Sequence, residues 1–315
     1  MKKVLLIGGS GYLGARISKH LAENDFEVFV LCRSLPKKSS WESLISGFII
    51  GDIAKKEVLD KLSAEEFDIA IHLVPLSNQG FNDNPDFVSS VNVLPTWNLL
   101  RVLTERGLKK FIYFSSIHIY GKLPKNLITE NFIPNPISPY GLNHLLSENI
   151  CNYYDKTTNT TCINIRLSNS YGSPVNKDID CWWLVLNEFC KSAYQKEKIT
   201  IRSDGSTLRD FIHWYDIINA LELIIKNNNH NTYHIASGQT LSILELAYEV
   251  KDVFNKRYNK ELRIYFSKEV VKSNIKKIKK HTFSMKRLNE IGYRMHKEVS
   301  SGINEIFDYM EGAWS

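Results

Sequence analysis

Residues 8–14 read Gly8-Gly9-Ser10-Gly11-Tyr12-Leu13-Gly14, directly after a short apolar run at 3–7 (KVLLI) and directly before a segment of helical periodicity reaching about Glu23. Strand, glycine-rich turn and helix in immediate succession are the opening of a βαβ unit. The glycines permit the tight turn, let backbone N–H groups approach a pyrophosphate, and let the helix pack closely on the strand. The helix N-terminus behind the turn favours an anion through its dipole and its unpaired N–H groups. The expectation is a dinucleotide site on a doubly wound parallel α/β sheet.

The rest of the first half fits that sheet. A second strand at 26–31 ends in Cys32-Arg33. An acidic residue there would bind the adenosine ribose hydroxyls of NAD, whereas Arg33 suits the 2′-phosphate of NADP, so this position taken alone favours NADP. Arg33 stacked on the adenine or facing solvent is the plainer alternative. Further short apolar runs at 48–50, 69–73, 111–114 and 162–165 alternate with helical patterns at 55–64, 86–105 and 140–156. This alternation predicts a parallel sheet over roughly residues 1 to 170. Asp52, after the third strand, either approaches the adenine or forms a turn.

Ligands of such sheets bind beyond the carboxyl ends of the strands. The fifth strand ends there in Ser115-Ser116-Ile117-His118-Ile119-Tyr120-Gly121. Twenty-four residues after Ser116, the stretch Ser138-Pro139-Tyr140-Gly141-Leu142-Asn143-His144 starts a helix, with Pro139 suited to its first turn. Tyr140 and His144, four apart, share a face. Ser116 and Tyr140 are placed where both can converge on one substrate oxygen, and a tyrosine at a helix start can serve as proton donor or acceptor if its pKa is lowered. A tyrosine near pH 7 needs its pKa of about 10 lowered by roughly 3 units, about 4 kcal/mol, so a nearby cation is normally required. His144 is charged only part of the time near neutrality.

From about residue 173 the pattern is less regular. Trp182-Trp183 reads as core of a smaller lobe. Residues 203–211 read as a hairpin turn running into a strand, and Arg209 there offers a fork suited to phosphate. Helices are expected at 214–226 and 242–254, with a strand at 233–235 between them and a polar turn at 227–231. The chain of 315 residues carries a net charge of +6. Residues 251–297 hold about fifteen basic against about four acidic side chains, Lys276, Lys277, Lys279 and Lys280 among them. A solvated basic face, or a funnel for an anionic small molecule, fits this run. No nucleic-acid motif accompanies it. Five cysteines without a C-x-x-C read as reduced thiols of a cytoplasmic protein. No apolar run has the length of a membrane span, and no metal ligand set is expected.

Eight ordered stretches together resemble the extended short-chain dehydrogenase/reductases that act on nucleotide-sugars. They are GGSGYLG at 8–14, HLVPLS at 72–77, NVLPTWNLL at 92–100, FSSIHIYG at 114–121, SPYGLNH at 138–144, RLSNSYG at 166–172, GSTLRDFIHWYD at 205–216 and HIASGQTLSI at 234–243. The resemblance makes Tyr140 the acid/base, with Ser116 on the same oxygen. It gives cofactor contacts to Gly8, Gly11, Tyr12, Leu13, Gly14, Arg33, Asp52, Ile53, Leu73, Asn92, Tyr140 and His144. Substrate contacts fall to Ser116, His118, Asn169 and Arg209. His144 stands where the family usually has the lysine that binds the nicotinamide ribose and lowers the tyrosine pKa. Pro95 in place of a glycine, and Cys32-Arg33 in place of an acidic strand end, are further departures.

The 4,6-dehydratase branch usually carries Thr-Asp-Glu after the serine. Ile117-His118-Ile119 lacks both carboxylates, which argues against water elimination; His118 is left as an acid, a packed ring or a solvent-facing one. What remains is oxidation at carbon 4, followed by return from the opposite face (a UDP-sugar 4-epimerase) or release of the ketone. The look of the chain, with its histidine for lysine, is similar to GDP-heptose 4-dehydrogenases of capsule biosynthesis, and that reading leads here. An impaired dinucleotide-binding sensor is the alternative of another class. The resemblance further implies tightly bound NAD, with NADP left open by Arg33. It also implies a homo-oligomer, dimer or tetramer, paired through helices 86–105 and 140–156. A dinucleotide-binding domain is expected over 1–172 plus about 209–237, and a nucleotide-sugar lobe over 173–208 plus about 238–315.

Overall fold

A computed structural model describes residues 1–36, 41–73, 89–124, 126–267 and 280–314. The strands are β1 (Lys2–Ile7), β2 (Phe26–Cys32), β3 (Gly47–Ile50), β4 (Ile69–His72), β5 (Lys110–Ser116), β6 (Leu127–Ile128), β7 (Thr161–Leu167), β8 (Asn169–Tyr171), β9 (Lys198–Ile201), β10 (Leu208–His213), β11 (Thr232–Ile235), β12 (Thr240–Ser242), β13 (Arg263–Phe266) and β14 (Thr282–Phe283). The α-helices are α1 (Tyr12–Glu23), α2 (Lys56–Ser63), α3 (Leu94–Glu105), α4 (Pro139–Thr157), α5 (Val185–Lys196), α6 (Trp214–Lys226), α7 (Ile243–Tyr258), α8 (Lys286–Glu290) and α9 (Val299–Trp314).

Seven strands form the main sheet in the order β11-β7-β5-β4-β1-β2-β3. The pairs β1–β2, β1–β4, β2–β3, β4–β5 and β5–β7 all run parallel. Strands such as KKVLLI and KFIYFSS carry unbroken apolar stretches, VLLI and FIYF, because helices cover both faces of a parallel sheet. The order reverses between β1 and β4. At such a switch the two crossovers leave in opposite directions and a crevice opens at the strand ends.

The chain divides into two compact units. The first comprises Met1–Leu123, Glu130–Leu167 and Ile224–His234, and the second Pro124–Thr129, Ser168–Leu223 and Ile235–Ser315. In the first unit, the core lies between the sheet and helices α2, α3 and α4, around Leu5, Ile7, Leu99, Leu103, Phe111 and Tyr113. Lys110, nearly buried at the start of β5, places its amine on the carbonyls of Ile224 (3.3 Å), Ile225 (2.6 Å) and Asn227 (3.0 Å). It thereby adds a donor to carbonyls in the last turn of α6 and just beyond its end. The second unit has its own core, with Leu186, Phe189, Phe211, Leu246, Val250 and Phe307 packed around the sheet β12-β10-β8 and helices α5, α7 and α9.

The structure corrects several local expectations. The hairpin at 203–211 is a turn without a hairpin: β10 pairs antiparallel with β12 and parallel with β8, while β9 pairs parallel with β13. Asp204 accepts from Ser206 N, and Gly205 takes φ +76°, so the chain is turned away from its preceding strand. The helix expected over 86–105 is a wide π-turn at Ser89–Val93 followed by α3, whose Pro95 can stand only at a helix start. Residues 86–88 lie outside the described residues, as do 74–77 of HLVPLS and Lys276, Lys277 and Lys279. The Trp pair divides: Trp182 packs 4.9 Å from Trp314 at the edge of the second core, while Trp183 remains exposed. Several described cations of the basic run are paired: Lys251 with Glu261, Arg257 with Asp308 and Glu311, and Lys280 with Glu245. All five cysteines are buried and unpaired. Among the described residues no helix is long and apolar enough to cross a membrane.

Candidate active site

At the C-terminal end of β1 the chain turns through Gly8 at φ +83°, a conformation open to glycine at no steric cost. Gly8 N bonds Leu31 O at 3.0 Å and Gly11 N bonds Gly8 O at 3.1 Å, closing the loop. Helix α1 begins at once, and no side chain caps its N-terminus. A Cβ on Gly14 would lie 2.1 Å from Gly8 O, so only glycine lets the first helical turn sit against the loop. Uncapped N–H groups beside a cleared backbone are what a pyrophosphate requires, and the residues present fit a dinucleotide.

The neighbouring strand ends line up. Leu73 N bonds Ile7 O at 3.0 Å, and the Cys32 thiol is hydrogen-bonded to the Ser10 side chain, which ties β2 to the loop. Arg33, next along, is exposed. Asp52 Oδ1 accepts from Ala54 N at 2.9 Å, the bond of an Asx turn, and Ile53 is buried beside it. Asn92 is buried in the π-turn, its carbonyl accepting from Thr96 Oγ1 at 2.9 Å.

Ser116 is the last residue of β5. Its oxygen accepts from His118 N at 3.3 Å and so caps the 3₁₀ turn Ile117–Tyr120. Helix α4 starts with Ser138 as cap, accepting from Gly141 N at 3.2 Å, and with Pro139 in the first turn. Gly141 brings these two pieces together, for a Cβ there would stand 2.5 Å from His118 O. The Tyr140 hydroxyl consequently reaches the Ser116 side chain and is hydrogen-bonded to it. The edges of two imidazoles flank the Tyr140 ring, with centroids 5.6 Å away for His118 and 4.6 Å for His144. A buried ion pair holds the helix from behind: Arg166 of β7 donates to Glu148 through Nε and Nη2, and through Nη1 to Tyr120 Oη (2.8 Å) and Glu130 O (2.8 Å).

The electrostatics of this pocket run opposite to a typical activated tyrosine. Burial raises the Tyr140 pKa above its ordinary value, and the Ser116 hydrogen bond only partly offsets that. His144, almost wholly shielded from water, is driven down to about 3 by burial first and then by repulsion from His118 and His72. It is therefore neutral at pH 7, and the fixed cation that a lysine would supply is absent from position 144. Its Nδ1 lies 2.9 Å from Tyr113 Oη, while its buried Nε2 has no hydrogen-bond partner among the described residues.

In the second unit, Asn169 of β8 donates from Nδ2 to Asp210 O at 2.8 Å. The buried Asp210 carboxylate accepts from Ser237 N (2.8 Å) and Ser237 Oγ (2.9 Å), fixing β10. Burial lowers the pKa of the neighbouring Arg209, which has no carboxylate partner among the described residues. A partly desolvated guanidinium without a counter-charge suits an anionic ligand.

With this geometry in place, comparison with known proteins decides the family. The profile of the NAD dependent epimerase/dehydratase family matches residues 4–236. The chain belongs to that family. As a member it is an enzyme, of a family acting with NAD on nucleotide-linked sugars. A putative UDP-glucose 4-epimerase of Methanocaldococcus jannaschii is 24% identical over 312 residues, 98% of each chain. The UDP-glucose 4-epimerase of Thermotoga maritima, solved with UDP-glucose, superposes with a TM-score of 0.83 at 21% identity, covering 99% of this chain and 100% of that one. The NAD complex of the Thermus thermophilus UDP-glucose 4-epimerase gives a TM-score of 0.82 at 21% identity, covering 99% of each.

Of the site residues expected from the sequence, the fold brings Ser116, His118, Tyr140 and His144 together at one strand end, and sets Gly8, Gly11 and Gly14 at the end of β1. Asn169 and Arg209 lie on the adjacent strands β8 and β10 of the other unit. Sequence reasoning missed Tyr113 and Gly141. The glycine directly after Tyr140 was a signal for close approach; Tyr113, inside a strand buried on both faces, has no periodicity that marks it.

Proposed function

We propose that this enzyme is a UDP-sugar 4-epimerase: it oxidises carbon 4 of a nucleotide-linked sugar and reduces the ketone again from the opposite face. The observation that carries the reading is the hydrogen-bonded pair Ser116–Tyr140 at the carboxyl end of β5. Support for the substrate class comes from Arg209 without a counter-charge and from the UDP-glucose 4-epimerases similar over nearly the whole chain. In this reading Ser116 donates to the 4-oxygen and keeps it oriented, while Tyr140 takes the hydroxyl proton as carbon 4 is oxidised and returns it when the ketone is reduced. When bound, NAD would supply the hydride acceptor and donor for carbon 4. Gly8, Gly11, Gly14 and the start of α1 would hold its pyrophosphate, with Arg33, Asp52, Ile53, Leu73 and Asn92 along its length and His144 as a neutral donor. Asn169 and Arg209 would hold the sugar and diphosphate. The first compact unit is then the dinucleotide-binding part, and the second supplies the nucleotide-sugar contacts.

The neutral His144 favours a second reading, a net 4-dehydrogenase of the GDP-heptose type that releases the ketone. A site without the fixed cation differs from the usual epimerase at the residue that governs the tyrosine. In either case the enzyme would work in the cytoplasm, as five unpaired buried thiols fit, and would feed surface-polysaccharide synthesis. The exposed side chains Leu94, Trp97, Leu142, Leu146 and Tyr153 on α3 and α4 support a homodimer through these helices. Sedimentation that finds only monomer removes the dimer.

Purified protein incubated with NAD or NADP and a series of UDP- and GDP-sugars tests the reading. Epimeric UDP-sugar without net dinucleotide reduction is the expected product. Stoichiometric NADH and a keto-sugar would transfer the assignment to the dehydrogenase, and no reaction with any sugar would overturn both.

A further inference from the structure

Tyr113 stands on β5, three residues before Ser116, and its hydroxyl lies 2.9 Å from His144 Nδ1. The same hydroxyl is hydrogen-bonded to the Ser147 side chain, one helical turn beyond His144. Ser147 Oγ in turn lies 3.5 Å from Thr96 Oγ1, and Thr96 Oγ1 lies 2.9 Å from Asn92 O. These four side chains are all buried, so the position of each proton follows from who can accept it.

The Asn92 carbonyl can only accept, so the single hydroxyl proton of Thr96 is used there. The separation of 3.5 Å between Thr96 and Ser147 exceeds the 2.5–3.0 Å of an O–H···O bond. The Ser147 proton is therefore better placed on Tyr113, and the Tyr113 proton on His144 Nδ1. Nδ1 then presents its lone pair, and the proton of the neutral imidazole is on Nε2. That nitrogen is buried without a partner among the described residues, on a ring whose centroid is 4.6 Å from that of Tyr140. A buried N–H left unpaired is costly unless a ligand takes it.

We propose that Tyr113 is a positioning residue: it fixes His144 as the Nε2–H tautomer, so that the ring offers a neutral, directed donor to a hydroxyl of the bound dinucleotide. The ligand half rests on the dinucleotide-dependent reading above; the tautomer half does not. Tyr113 and His144 form a matched pair. A phenylalanine at 113 would leave Nδ1 without its donor, and a lysine at 144 would bring charge instead of direction.

Protein labelled with ¹⁵N-histidine, with His144→Gln to identify the signal, reads the tautomer directly in long-range ¹H–¹⁵N spectra. The expected spectrum shows a pyridine-type Nδ1 and a pyrrole-type Nε2, unchanged between pH 8 and pH 5. Tyr113→Phe should convert it to a tautomer mixture and weaken NAD binding about 5-fold, the loss of one aligned hydrogen bond. If Tyr113→Phe does not fold, Ser147→Ala carries the test, since it removes the donor to Tyr113, frees a phenol lone pair to accept from an Nδ1–H and should likewise erode the Nε2–H preference. An Nδ1–H signal in the unmodified protein overturns the proposal, as does a Tyr113→Phe protein that keeps Nε2–H. A shifted tautomer with unchanged NAD affinity overturns the donor role. If the tautomer is as stated and NAD does not bind at all, the dinucleotide reading and the ligand half fall together, while the tautomer assignment stands.

Discussion

Two histidines, His144 in the first unit and His213 in the second, are almost equally shut off from water, at 2% and 1% exposure. Their partners differ. His213 Nε2 faces Glu305 Oε2 at 2.9 Å, whereas His144 Nδ1 meets only the Tyr113 phenol. Burial alone would raise the Glu305 carboxyl, but His213, Ser173 and Trp214 hold it down at about 2. Among the described residues no carboxylate offsets the burial of His144, and its imidazole stays neutral down to about pH 3. Depth sets the cost of a charge on an imidazole, and the neighbour decides whether that cost is met. Tyr140 is thus placed beside a histidine that stays neutral.

The largest effect should come from Tyr140, the residue that gives the neutrality of His144 its chemical meaning. Tyr140→Phe is expected to lower kcat about 10³-fold while leaving NAD affinity nearly unchanged, as measured by turnover and by dinucleotide titration. Near-normal turnover would move the proton transfer elsewhere and remove the point of the contrast. A smaller effect is expected from giving His144 the missing charge. Because the Tyr140 pKa is raised and His144 takes up no proton above about pH 3, the rate should climb with pH through the alkaline range, without a step near 6.5. His144→Lys should shift that limb about 1 unit lower, about 10-fold more activity at pH 7. Superimposable pH profiles of the two proteins would break the comparison. The smallest effect belongs to the other histidine. Glu305 titrates at about 2 when folded against 4.5 otherwise, so its contribution is present above pH 4.5 and is lost as pH falls toward 2. Glu305→Gln should cost about 1–2 kcal/mol in urea unfolding at pH 7, and the difference should shrink by pH 3. A difference independent of pH would show that the carboxylate charge is irrelevant there.

Particular residues show how far the site could be read in advance. Gly8, Gly11 and Gly14 were legible because a strand, a turn and a helix follow one another without a gap, and Gly8 and Gly14 each have a local steric reason. Ser116 and Tyr140 were legible as partners only by linking two distant segments, and the hydrogen bond between them depends on Gly141 letting α4 close on the 3₁₀ turn. The turn at 203–207 was legible from Asp204 and Gly205, but the partner of the strand beyond it was not. Strand pairing in the second unit joins segments far apart in the chain, such as β13 with β9, and no short-range pattern encodes that. The π-turn before α3 and the terminal helix α9 were also beyond sequence reasoning.

A histidine four residues after Tyr140 is a fact of the sequence, as are the glycine loop, the strand-helix alternation and the serine at a strand end, because each is local or periodic. The protonation state of His144 is decided by tertiary structure. A histidine titrates near neutrality in water, and only its enclosure by β4, β5 and α4, with the Tyr113 hydroxyl at its Nδ1, makes it a neutral, oriented ring. Sequence determines which groups are present; packing decides which of them can hold a charge.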